Sequence, residues 1–253
     1  MIGFLGYFFW SIYCLKKLEK HISHKTVLFY LVIIQFTTHI DTVYGFFVGS
    51  VFSLPLLLLH IFGIISGYLF VQIQNKLKIL PFSLCILFSI FMFFEGWDYW
   101  IHRINFGTFT GKVHAYNLPT KFEALNEQKN LIEENDLNNK IILLDFWTTT
   151  CGLCFKKFPK LQSIYDKYKD DSQVMILAVN SPIEEDKPNQ AFEMIRERNL
   201  TFPVVVTKDE DLAEKFAVKG YPTTFVINQN KQIVYKGDIE GAIRMVDELR
   251  EPK

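Results

Sequence analysis

Two cysteines, Cys151 and Cys154, stand a helical turn apart in the stretch Cys151-Gly152-Leu153-Cys154. The apolar run Ile141–Trp147 ahead of them reads as a strand covered on both faces, and the residues behind them read as a helix. A cysteine at a helix N-terminus faces unpaired N–H groups and the positive end of the dipole, and both favour a thiolate. Its pKa falls and it becomes the attacking nucleophile. The second cysteine, one turn on, is shielded and resolves the mixed disulfide that the first one forms. Other chemistries fit the spacing less well. A metal site needs two further ligands, and no other Cys or His is near in sequence. A c-type haem attachment needs His after the second cysteine, where Phe155 stands. A purely structural bridge gains little from so short a loop.

The surrounding pattern alternates strands and helices. Phe155, Phe158, Leu161, Tyr165 and Tyr168 recur at spacings of three and four, which puts them on one helix face. Strands are expected at 174–179, 202–207, 223–227 and 232–235, with helices at 190–198, 209–216 and 241–250. Residues 108–116 look strand-like, and the polar stretch 123–139 ends in a turn. Together these predict an α/β domain.

The first hundred residues are different. They carry six Lys and four acids, and the remaining 21 basic and 23 acidic side chains all follow. A net charge of zero excludes a strongly basic nucleic-acid binder, and 49% hydrophobic residues exclude a disordered chain. Uncharged or nearly uncharged runs at 2–15, 26–49, 51–71 and 80–94 predict about four membrane spans. The lysines follow the first run rather than precede it, so a cleaved signal peptide is not expected. The lysine-bearing loops 16–25 and 74–79 should face the cytoplasm, which puts everything after about residue 100 on the other side. Trp97, Tyr99 and Trp100 fit an interfacial belt there. His39 and Asp41 are expected at an outer-interface turn. His60, mid-span, is expected to be hydrogen-bonded, with no partner evident. Cys14 and Cys85 lie in separate spans and are not expected to relay electrons. The organisation is thus a helical transmembrane domain over 1–100, a linker over 101–111 and the α/β domain over 112–253.

Leu144-Asp145-Phe146-Trp147 followed by Cys151-Gly152-Leu153-Cys154 resembles the active-site stretch of thioredoxins. Pro159 matches the helix-kinking proline of that family. Gly220-Tyr221-Pro222-Thr223-Thr224-Phe225 resembles its loop with a cis-proline, and Tyr235-Lys236-Gly237 its strand-to-glycine ending. The long lead-in and the stretch 180–198 resemble the membrane-anchored TlpA-type subgroup. The resemblance implies a thioredoxin-like fold, a mixed central sheet flanked by helices. It implies Cys151 as nucleophile and Cys154 as resolving thiol. Asp145 becomes the buried acid that exchanges protons with Cys154, which asks for a raised pKa. Pro222 becomes the cis-proline, with Tyr221 before it offering backbone hydrogen bonds to a substrate chain.

Three residues depart from the pattern. Thr150 replaces the usual Trp, Leu153 the usual Pro, and Lys157 a Glu common in the subgroup. Lys157 is expected either to stabilise the thiolate or to be solvated. The implied activity is thiol–disulfide exchange, as a reductant, with protein thiols or disulfides outside the cytoplasm. A membrane or soluble electron donor is implied, and no metal or other cofactor. Two other readings are a redox sensor signalling to the membrane helices and a thiol peroxidase. For the latter, the T-x-x-C of Thr148–Cys151 resembles that of peroxiredoxins, but Leu144 stands where their Pro would be.

Overall fold

The computed structural model describes residues 2–47, 52–73, 76–118, 121–207 and 212–251. Parts of the expected spans, loop and helix at 48–51, 74–75 and 209–211 lie outside the described residues. The chain divides into two compact units, Met1–Ile104 and Asn105–Lys253.

The first unit is helical in its described residues. It contains α1 (Ile2–Leu18), α2 (His24–Thr38), α3 (Ile40–Phe47), α4 (Leu54–Gln72), α5 (Ile79–Phe91) and α6 (Trp97–Phe106). Ser23 caps α2, its hydroxyl accepting from the N–H of Thr26 at 3.2 Å. Pro55 sits in the first turn of α4, where its missing N–H costs nothing. A five-residue π turn, Met92–Gly96, joins α5 to α6, so one helix runs from Ile79 to Phe106. That helix and α4 are long and apolar enough to cross a membrane, whereas α1 has 17 residues. The expected span over 26–49 is broken: His39 leaves the helical region with φ −112° and ψ 41°, dividing α2 from α3. The chain expected as linker from residue 101 is helical as far as Phe106. His60 has the partner the sequence did not reveal, because its Nδ1 lies 2.9 Å from Nε2 of His39.

Small residues let α1 and α4 approach closely. A Cβ at Gly67 would meet the Ser11 hydroxyl at 1.9 Å and the Phe8 carbonyl oxygen at 2.7 Å. The hydroxyl can turn away, but the carbonyl belongs to the backbone of α1. Gly67→Ala should therefore destabilise this unit by about 1–3 kcal/mol. Thermal unfolding of the full chain in detergent checks this, and an unchanged midpoint would remove the close-packing account. Large apolar side chains face outward across the unit, among them Phe29, Phe47, Phe93 and Phe94.

Among the described residues, the second unit is built on one eight-stranded sheet in the order β1-β8-β7-β4-β5-β6-β2-β3. Its strands are β1 (Lys112–Asn117), β2 (Glu123–Leu125), β3 (Leu131–Glu133), β4 (Ile141–Trp147), β5 (Val174–Asn180), β6 (Val204–Thr207), β7 (Thr223–Ile227) and β8 (Gln232–Gly237). β4, β5 and β6 are parallel, and the remaining neighbours are antiparallel. The helices are α7 (Gly152–Tyr168), α8 (Gln190–Glu197), α9 (Leu212–Lys215) and α10 (Ile239–Arg250). This is the mixed sheet flanked by helices that the resemblance implied. The short strands β2 and β3 were read only as a polar stretch. The sheet separates two cores. One gathers Trp147, Phe158, Leu161, Ile239 and Val246 beneath α7 and α10. The other gathers Phe122, Phe146, Leu212, Phe216 and Phe225 on the far face. Gly111, at φ +82°, is wedged against the Tyr235 ring, where a Cβ would come within 2.1 Å, and its carbonyl accepts from the N–H of Lys236.

Candidate active site

The two-residue period of a strand sends alternate side chains of β4 into opposite cores. Ile141, Leu143 and Trp147 enter the layer of α7 and α10, while Ile142, Leu144 and Phe146 enter the other. Asp145 shares the phase of Leu143 and Trp147, so a carboxyl is delivered into an apolar core. Only 1% of the residue is exposed. Directly across on β7 lies Thr224, whose hydroxyl donates to Oδ1 at 2.7 Å, and across on β5 lies the small Ala178.

α7 starts where the turn after β4 ends. Cys151 is its N-cap, and the N–H of Cys154 donates to the Cys151 Sγ at 3.1 Å. The two sulfurs are bonded, with the Cα atoms 5.3 Å apart. Cys151 is partly exposed, whereas Cys154 is wholly buried in the α7–α10 core. Leu153 between them is 61% exposed, one of few large apolar side chains of this unit to face outward.

β7 runs antiparallel to β4, so its entry lies at the same end of the sheet as the cysteines, with Thr223 opposite Phe146. The peptide bond Tyr221–Pro222 at this entry is cis. The Thr223 hydroxyl donates to the Gly220 carbonyl at 2.7 Å, and Tyr221 is half-buried against both cores. The fold thus gathers Cys151, Cys154, Tyr221 and Pro222 at one sheet end, with Asp145 two residues inside Trp147 on the buried face.

Burial pushes the Asp145 carboxyl up to about 7; the Thr224 hydrogen bond opposes the rise and the Glu240 carboxylate adds to it. Glu240, near the start of α10, is a residue that sequence reasoning missed. Its own burial pushes it up, but hydrogen bonds from the ammoniums of Lys157 and Lys160 outweigh that and hold it at about 2. Lys157 is therefore not simply solvated, nor is it left to serve the thiolate. It neutralises a carboxylate supplied by the other helix of the same layer. The local signal for Glu240 was weak, because an acid in a first helical turn usually answers only the dipole.

Residues 117–236 match the model of the AhpC/TSA family. Among curated proteins, the chain is 31% identical over 121 residues to the thiol-disulfide oxidoreductase ResA of Halalkalibacterium halodurans, covering 47% of this chain and 66% of that one. It is 34% identical over 98 residues to the sporulation thiol-disulfide oxidoreductase A of Bacillus subtilis, covering 39% of this chain and 55% of that one. The chain thus spans less than two thirds of either relative's length. Among solved structures, the thioredoxin domain of a Bacteroides vulgatus thiol-disulfide oxidoreductase aligns with a TM-score of 0.47 at 20% identity, over 54% of this chain and 97% of that one.

Proposed function

We propose, from the match of residues 117–236 to the AhpC/TSA family model, that the chain is a membrane-tethered thiol–disulfide oxidoreductase built on a thioredoxin-like domain. Its Cys151–Cys154 pair exchanges disulfides with protein partners outside the cytoplasm, in the direction of reduction. The observation that carries this reading is the asymmetry of the pair. A partly exposed sulfur caps a helix, and its bonded neighbour is fully buried in the layer that holds a protonatable carboxyl.

In the reduced state the Cys151 thiolate attacks one sulfur of a partner disulfide. A mixed disulfide forms, and the partner's other sulfur leaves as a thiolate and takes a proton. Cys154 then gives its proton to the Asp145 carboxylate and attacks the Cys151 sulfur. The partner's second sulfur leaves and is protonated. Two electrons pass from the pair to the partner, which is left with two thiols, while Cys151 and Cys154 become a disulfide. A dithiol donor, soluble or in the membrane, returns the pair to its reduced form by the reverse exchange.

The tether is the first unit. Two of its helices can cross a bilayer, and its outward apolar faces suit hydrocarbon. With lysines in the loops after α1 and α4 held at the cytoplasmic side, the cysteine pair lies opposite.

A Cys154→Ser variant of the full chain, isolated from cells under acid quench, should carry partners covalently bound at Cys151. A membrane-impermeant maleimide should label Cys151 and Cys154 in intact cells after mild reduction. Absence of any trapped partner, with peroxide turnover instead, would replace exchange by a peroxidase reaction. Labelling only after lysis would reverse the assigned side.

A further inference from the structure

β5 ends at Asn180, which stands in register beside Trp147, the last residue of β4. Asn180 is 1% exposed, yet its side-chain nitrogen has no hydrogen-bond partner among the described residues. An amide donor buried without a partner costs about 1–3 kcal/mol, so its persistence asks for a use. The residue lines a cleft of about 270 Å³, together with Pro182, Ile183, Asp186, Ala191 and Val206.

The cleft is tied to the cysteine loop. Asp186 accepts a hydrogen bond from the hydroxyl of Thr149, two residues before Cys151, and another from the N–H of Ile183 at 3.0 Å. The N–H of Ser181 donates to the Trp147 carbonyl at 2.9 Å. These bonds hold the rim in place against the loop that carries the nucleophile. The cleft also lies on the β5 side of β4, whereas Tyr221 and Pro222 lie on the β7 side. A polypeptide joined to Cys151 is therefore flanked on one side by the cis-proline loop and on the other by this cleft.

We propose that the cleft is a second anchoring site for the partner polypeptide, in which the Asn180 amide donates to a main-chain carbonyl next to the attacked cysteine. This rests on the exchange reaction proposed above. The lining favours that occupant. The free group is a donor, so it needs an acceptor. Both Asp186 oxygens are engaged, and Asp186 with Lys187 at the rim leaves no net charge to select an ion. Pro182, Ile183, Pro188, Ala191 and Val206 form an apolar part of the wall, suited to a small side chain beside the carbonyl, and the neutral amides of Asn189 and Gln190 complete the rim. Asn180 ends the strand beside the one that leads into Cys151, and neighbouring strands are about 4.8 Å apart, so a main-chain carbonyl near the partner cysteine is the acceptor the site is placed to meet.

The test uses the reduced full chain in detergent and two disulfides of nitrothiobenzoate, one with a nine-residue peptide bearing a central Cys and one with N-acetylcysteine amide. Attack by Cys151 releases the coloured thiol from either. The wild type should prefer the peptide, and Asn180→Ala should lower the peptide-to-small-molecule rate ratio about two- to tenfold, as expected for one neutral hydrogen bond. Ile183→Trp, at the half-exposed rim, fills the cleft without touching the core and should lower the ratio similarly. If Asn180→Ala fails to fold, the Ile183→Trp ratio decides. A ratio that stays at the wild-type value in the folded variants overturns the proposal. Release from neither substrate by the wild type would instead overturn the exchange reading itself.

Discussion

Cys151→Ser should abolish exchange, with a loss of at least about a thousandfold, as removal of a nucleophile does elsewhere. Cys154→Ser should keep the attack and stall as a stable mixed disulfide. The difference follows from position. The Cys151 sulfur is at the helix start, reachable from solvent, and it already accepts the N–H of Cys154 at 3.1 Å. A donor aimed at that sulfur favours its thiolate. Cys154 is wholly buried beside Trp147 and Phe158, and desolvation there disfavours a charged sulfur. Alkylation rates of the two single-cysteine variants across pH measure this directly. Faster reaction at Cys154 than at Cys151 near neutral pH would reverse the roles and remove the mechanism.

Asp145→Asn should make the protein more stable and less able to resolve the mixed disulfide. In the unfolded chain the carboxyl ionises near 3.8, and in the folded one at about 7. Below the first value it is neutral in both states and costs nothing through ionisation. As pH rises between the two, the unfolded chain loses its proton first, so folding loses stability. Above about 7 the full cost is reached and stays constant. Each pH unit between the two values is worth about 1.4 kcal/mol, so the plateau is about 4 kcal/mol as an upper figure. The asparagine variant keeps an acceptor for Thr224 and escapes that cost. Its unfolding midpoint should therefore exceed that of the wild type at pH 8 and approach it at pH 4. A difference independent of pH would show that Asp145 ionises over the same range in the folded and the unfolded chain, its pKa unshifted by burial. Under the proposed mechanism, in which the carboxylate is the base for Cys154, resolution should slow more than attack.

The parts of the fold that were legible in the sequence are those with dense local pattern. β4 is a run of seven buried residues, and α7 repeats its aromatics on one face, so both were placed nearly to the residue. β2 and β3 were missed because each is three residues long and sits at the sheet margin, where Glu133 is exposed, Glu123 is half-buried and no apolar alternation builds up. The site divides in the same way. Cys151, Cys154, Asp145, Tyr221 and Pro222 stand in or beside short motifs that can be read along the chain. Their partners cannot. Lys157 finds Glu240 on another helix 83 residues away, and His60 finds His39 because the helix breaks at that residue. Asn180 looks like any polar strand end until the cleft beside it is seen.

The pairing of β1 with β8 sets an order of events during synthesis. Lys112 lies opposite Tyr235, so the strand that leaves the first unit earliest is held by the strand made last. β7, which carries the partner of Asp145 and the cis-proline loop, also comes late. On a growing chain, Cys151 and Cys154 therefore emerge well before β7 and α10 can bury their surroundings. Until β7 and α10 have been made, the layer that buries Cys154 is incomplete. A newborn chain thus passes through a stage in which its paired cysteines lack the burial that the finished sheet gives them.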